Sequence, residues 1–269
     1  MAPPDFARRI NYARETLYFF LNGRYSRISS NANNQLTNWI YDGGGNILNT
    51  PGGPYDNRFN LENQWTNQNT FHVTYLYDGD GQRVMASGGA SGTRIFWYDE
   101  AGKVIEEEDG SNVNEYLYVG DQRIARIYNL FSPYYYYSDY LGTSRVSADE
   151  NGNKCYDADY FPWGDEQQVY VNTCPQNYKF NGKERDPDMG VYDFGARFFQ
   201  DGIARFYSPD WSATVEPVPY AKLNNPQSLN LYTYVLDNPL SFRDADGHEV
   251  GADTLQELQK ITSDSGNAA

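Results

Sequence analysis

Few side chains in this sequence can do covalent or metal chemistry, and their spacing narrows the choice. The 269 residues contain two histidines, His72 and His248, and two cysteines, Cys155 and Cys174. A structural zinc site wants four nitrogen or sulfur ligands at close spacing, and no such group exists here. The cysteines lie 19 apart (174 − 155) in a Tyr- and Asn-rich segment, which leaves both two free thiols and one disulfide open. A Ser nucleophile served by His248 lacks the G-x-S-x-G elbow that would present it. His72, between Phe71 and Val73 in an expected strand, reads as a structural histidine. Acidic glycine turns at 78–81, 149–153 and 244–249 offer oxygens to calcium, but none completes the alternating ligands and distal Glu of an EF-type loop. Tight-turn chemistry accounts for them without a metal. The run of four tyrosines at 134–137 and the five tryptophans could stack on sugar rings. Because the aromatics recur along the chain instead of gathering at one place, they read first as the inner layer of a sheet. A carbohydrate-binding or adhesion module is the alternative.

The scaffold that carries these groups is legible in composition and repeats. Hydrophobic residues make up 39%, aromatics 16%, and tyrosine alone supplies 25 residues. Such a chain, rich in glycine and without long helical patterns, predicts an all-β fold, since aromatic rings suit a half-buried pleated surface. One unit recurs: an aromatic strand, Tyr-Asp, a glycine turn, then a strand. It stands at 39–48, 75–84 and 96–105, and in decayed form at 116–124. A further degenerate copy is expected near 55–59. Asp in such a turn bonds the turn backbone, and Gly supplies positive φ. Each unit is a hairpin that cannot bury its face alone and must stack on the next. The expectation is a winding spiral of hairpins with few or no helices.

The pattern divides into repeats over 1–130, a denser block over 131–250, and a polar tail over 251–269 with a short helical pattern. Acidic residues outnumber basic ones 36 to 21, a formal charge of −15, which argues against nucleic acid or an anionic membrane as partner. The strongest apolar run, Thr16 to Leu21, is far short of the ~20 residues that span a bilayer and reads as a strand or a buried turn of helix. No signal peptide is recognisable at the N-terminus. Secretion or surface display would need a dedicated export machine.

The repeats and the block after them resemble the RHS (YD-repeat) family and its RHS-associated core. Ser138-Asp-Tyr-Leu-Gly-Thr-Ser-Arg-Val146 is similar to the family's H-x-D-x-L-G-S-x-R segment, with Ser138 in place of His. Tyr160-Phe-Pro-Trp-Gly-Asp-Glu166 resembles Y-x-P-F-G-E. The stretch from Phe180 through Asn-Gly-Lys-Glu-Arg-Asp-Pro to Phe199 resembles F-T-G-K-E-x-D ending in A-R-Y-Y. Ala204 to Asp210 resembles G-R-F-x-S-x-D, and Asn230 to Gly247 resembles N-L-Y-x-Y ending in D-P-x-G. The likeness covers nearly the whole chain, more weakly before residue 70.

The resemblance implies a hollow β-shell wound around a toxin or effector and sealed by the core. It also implies, in some members, an aspartic autoprotease that cuts just after the terminal motif. Carried onto this sequence, the carboxylates would be Asp210 and Asp244, with Arg243 to hold a charge beside them and the cut near His248. Aspartic chemistry needs two carboxylates that share a proton. Two departures bear on cleavage: Ala245 replaces the motif's proline, and His248 stands where the family has leucine. The alternative role for Asp210 and Asp244 is capping of turns. The expected partners are protein cargo or further shell segments, with self-association through open sheet edges. No cofactor or metal is expected, and no turnover of a small molecule.

Overall fold

The alternation in the repeats becomes one long antiparallel sheet. The computed structural model describes residues 16–21, 24–50, 56–211 and 225–248. Twelve strands run in order from Asn57–Phe59 to Glu166–Asn172, each hydrogen-bonded to its neighbours in sequence. Every pairing is antiparallel, so the sheet is a simple meander. Two hairpins precede it, Thr16–Leu21 with Arg24–Ser29 and Ile40–Tyr41 with Ile47–Asn49. After it come four very short strands, Glu184–Arg185, Tyr192–Asp193, Phe198–Gln200 and Arg205–Phe206, and four short 3-10 turns. The fold is all-β: among the described residues there is no α-helix. The run at Thr16–Leu21 is a strand. The polar tail and its helical pattern lie outside the described residues, as does the segment 212–224.

The turn chemistry is uniform. At Asp78 the amide donates to the Gln82 carbonyl, and Oδ1 accepts from the amides of Asp80 and Gln82. Asp42, Asp99, Asp139 and Asp149 repeat the arrangement. Asn31 and Asn60 do so too, with the amide oxygen in the carboxylate's place. The fourth residue of each turn needs positive φ; it is Gly81 at 83° in one copy and Asn63 at 60° in another, since Asn tolerates that region. The degenerate copy near 55–59 therefore reverses at 60–64, one short strand later than the Tyr-Asp spelling suggests. The carboxylates offered to calcium at Asp78 and Asp149 are engaged by their own turn amides. Among the described residues no cluster of His, Cys, Asp or Glu is placed to hold a metal ion.

The repeated tyrosine has its own reason. Tyr77, Tyr98 and Tyr118 donate their hydroxyls to the backbone carbonyls of Trp65, Arg83 and Val104, at 2.8, 2.7 and 2.8 Å. Each ring thus ties a hairpin to the one before it, which phenylalanine could not do. Along each of these strands the side chains alternate: Val73 and Tyr75 are buried while Leu76 is exposed, and Tyr116 is buried while Leu117 is exposed. The buried face packs on the later part of the chain, where Phe194, Phe198, Phe199, Phe206 and Tyr234 form a dense aromatic cluster with Trp65 and Tyr75.

Strand pairing continues without a break across residue 130, because Gln122–Tyr128 pairs with Ser132–Ser138. The architecture changes only after Asn172, where the chain leaves the sheet to cover its inner face. Cys155 and Cys174 form a disulfide at that exit, which settles the choice left open by their spacing. His72 differs from its expected place in a strand. It is an exposed turn residue with φ of 57° just ahead of Val73–Tyr77, and its carbonyl lies where a Cβ on Gly88 would fall.

Candidate functional site

Two groups of charged side chains are buried where sheet and covering segment meet. The first joins the sheet to the segment that covers it. Arg83 and Arg94 point from adjacent strands onto Glu184 and Asp186, which follow Gly182 in the third motif. Both arginines reach Asp186 Oδ2, at 3.2 and 3.1 Å, and both contact Glu184. Tyr75 donates to Asp186 at 3.0 Å, Arg83 Nε lies 3.1 Å from Asp193, and Tyr116 donates to Glu107 at 2.8 Å. The arginine side chains are 2% exposed, so every unmatched charge costs heavily. Two guanidinium groups face four carboxyls, and burial pushes Asp193 and Glu107 above the usual carboxylate range despite the arginines.

The second group holds the carboxylates that the resemblance singled out. Asp210 follows the last short strand and Asp244 begins the terminal turn, yet the fold brings both to one guanidinium. Arg197 Nη2 lies 3.2 Å from Asp210 Oδ2 and 3.7 Å from Asp244 Oδ2. Arg197 itself is fixed by bonds to the carbonyls of Gly247 and Leu231 and lies over the Phe206 ring. Asp244 Oδ1 accepts from the amides of Asp246 and Gly247, so it does cap its turn, while its buried Oδ2 takes no hydrogen bond among the described residues. Burial pushes the Asp244 carboxyl up to about 7, against the lowering pull of Arg197 and the Gly247 amide. Asp210 Oδ1 accepts from the Trp211 amide and contacts His248 Nδ1 at 2.9 Å. Segment 244–248 thus lies across both carboxylates.

Arg243 is placed elsewhere. It lines a cleft of about 1360 Å3 between the sheet's turns and the terminal motif, with Tyr118, Arg123, Lys183, Asp244 and His248. It makes no ion pair with either carboxylate among the described residues, and the cation between them is Arg197. Arg197 stands in Ala196-Arg-Phe-Phe199, the stretch that resembles A-R-Y-Y, and its burial among aromatics is the missing signal, since a lone Arg there must meet an acid. Lys183 from the same motif donates to the Ala245 carbonyl at 2.6 Å, steadying the turn that carries Asp244.

A sequential antiparallel meander, packed on an aromatic segment that ends in a carboxylate pair sharing one cation, defines an all-β fold. Solved structures have the same fold. The crystal structure of TcdB2-TccC3-Cdc42 superposes with a TM-score of 0.63 over 91% of this chain, at 18% identity and over 13% of its own chain. No protein-family model matches the chain. Among curated proteins, the toxin subunit YenC1 of Yersinia entomophaga is 28% identical over 117 residues, 42% of this chain. The tRNA(Glu)-specific nuclease WapA of Bacillus subtilis subsp. natto is 24% identical over 184 residues, 66% of this chain. The chain spans about a tenth of the length of these relatives, 11% and 8%. No helix among the described residues is long and apolar enough to cross a membrane.

Proposed function

We propose that this chain is the closing segment of an encapsulating RHS-type shell in a toxin-delivery protein. The meander supplies wall, and residues 178–211 with 225–247 supply the plug. The buried clamp of Arg83 and Arg94 with Glu184 and Asp186 carries this reading. Well-packed apolar side chains would stabilise the contact as well as buried charges do, whereas charges at fixed positions admit one register of plug on wall. The likeness to proteins named as toxin subunits and nucleases supports the same reading. The protein is secreted or displayed by a dedicated export machine, and the Cys155–Cys174 disulfide fits an oxidising compartment. Its partners are protein cargo and further wall segments, met through the outer edge of Glu166–Asn172, which pairs with no other strand among the described residues. Cryo-electron microscopy of the protein in its native assembly tests this. A lumen bounded by the wall and closed by residues 178–211 and 225–247 is expected; a plug face open to solvent refutes it.

The carboxylate pair supports a second activity, self-cleavage near His248. Asp210 takes a proton from water, the oxygen adds to the scissile carbonyl carbon, and Asp244 gives its proton to the departing amide nitrogen as the C–N bond breaks. Burial of Asp244 keeps it protonated enough for the acid role. Intact-mass measurement of wild type, Asp210→Asn and Asp244→Asn decides the matter. Two fragments from wild type alone are expected, and one full-length species from all three refutes cleavage.

A further inference from the structure

The residue beside the carboxylate pair is itself bound to it. His248 Nδ1 lies 2.9 Å from Asp210 Oδ1, and the imidazole meets the Trp211 ring edge-on, with centroids 4.8 Å apart and an interplanar angle of 85°. Its amide is held by Asp246 Oδ1 at 3.1 Å. A carboxylate and an aromatic wall make a subsite for a ring with one N–H donor, which a leucine at this position would leave empty. The same contact loads Asp210. Its Oδ2 faces Arg197, and its Oδ1 already takes the Trp211 amide, so His248 adds a third donor. The Trp211 amide and His248 together fill the hydrogen-bonding positions of Oδ1, so water reaches that oxygen only when the ring leaves.

We propose that His248 is a specificity and positioning residue that docks in the Asp210–Trp211 subsite and holds the carboxylate pair in a resting state. Of the three donors, His248 is the one that can leave, because Arg197 is fixed by two carbonyls and the Trp211 amide belongs to the backbone beside Asp210. The restraint rests on the self-cleavage reading above; the docking does not. Because Asp210 accepts, the docked ring carries its proton on Nδ1 even when neutral, whereas a free neutral imidazole prefers Nε2–H.

Two measurements on the full chain separate these parts. Nitrogen-15 NMR of the neutral imidazole, near pH 8.5, should show the Nδ1–H tautomer in wild type and Nε2–H in Asp210→Asn. An Nε2–H signal in wild type overturns the docking. Intact-mass time courses then compare wild type with His248→Leu and His248→Phe, the second keeping a ring against Trp211 without a donor. Both variants should cleave at least tenfold faster than wild type, and Asp244→Asn in the His248→Leu background should not cleave. Cleavage of both variants at or below the wild-type rate overturns the restraint. If no protein cleaves while the Nδ1–H tautomer is present, self-cleavage and the restraint fail together and the docking stands.

Discussion

Replacing Arg83 with methionine tests the clamp most sharply, because it keeps an unbranched stem while deleting one of two cations. Arg83 meets Glu184, Asp186 at 3.2 Å and Asp193 at 3.1 Å, with only 2% of its side chain exposed. Without it, Arg94 is left with Glu107, Glu184 and Asp186, and Asp193 loses its guanidinium partner. Breaking a buried pair by removing one partner costs about 3–5 kcal/mol, a large share of the roughly 5–15 kcal/mol that holds a domain folded. At about 2–4 °C per kcal/mol for a chain of this size, the melting temperature should fall by roughly 6–20 °C. The sign of the pH dependence follows from the carboxyls. Arg83 lowers both Asp193 and Glu107, so its loss raises them further above their unfolded values. The folded state then binds protons more tightly than the unfolded one, and the penalty is greatest above those raised values and shrinks toward about pH 4. Scanning calorimetry at pH 7.5 and 5 reads both effects. Adding Glu184→Gln should return part of the loss, since it removes a carboxylate the missing cation had served. A melting temperature within about 2 °C of wild type at both pH values would refute the reasoning.

Asp244→Asn should stabilise the protein above pH 8. The folded carboxyl is raised to about 7, so its favourable contribution is full below about pH 4 and is lost as pH rises through 7. Calorimetry across pH 4–8.5 should show a gain of up to about 4 kcal/mol at the alkaline end and none at the acid end. Tyr98→Phe removes the bond to the Arg83 carbonyl and should cost about 1 kcal/mol in urea unfolding, with the fold unchanged by circular dichroism. Replacing Cys155 and Cys174 together by serine should cost about 3 kcal/mol for a loop of this length, and adding reductant to wild type should match that loss. Gly88→Ala places a Cβ 1.9 Å from the His72 carbonyl and should open that hairpin, read as faster hydrogen exchange at 71–74 and 86–89.

The parts of this fold that were legible in the sequence are those made by local chemistry. Asp-x-x-Gly with alternating aromatics fixes a turn and a strand phase within a few residues, so the hairpins at Asp78 and Asp99 could be read directly. Asn31 and Asn60 make the same turn, but Asn stands in for both the Asp acceptor and the positive-φ Gly, so the spelling that marks the repeat is lost. The carboxylates Asp210 and Asp244 could be nominated from motif likeness, because each motif is a short continuous stretch. Their shared cation could not: Arg197 reaches them only because the strand Phe198–Gln200 places it between the terminal turn and the Asp210 loop. Arg243 was the natural choice by adjacency, yet neighbours in an extended chain point apart, and it faces the cleft instead. The same limit hid the clamp, whose members are separated by about a hundred residues and meet only when plug covers wall.

The central claim is that plug and wall are one cooperative body joined at the clamp. Native-state hydrogen exchange measures this directly, by the opening free energies of amides in Tyr192–Asp193 and Phe198–Gln200 against those in Val73–Tyr77 and Arg94–Tyr98. The account predicts that the two sets agree to within about 1 kcal/mol and fall together in Arg83→Met. Plug amides that open several kcal/mol more easily than the wall, and do not respond to loss of Arg83, would contradict it.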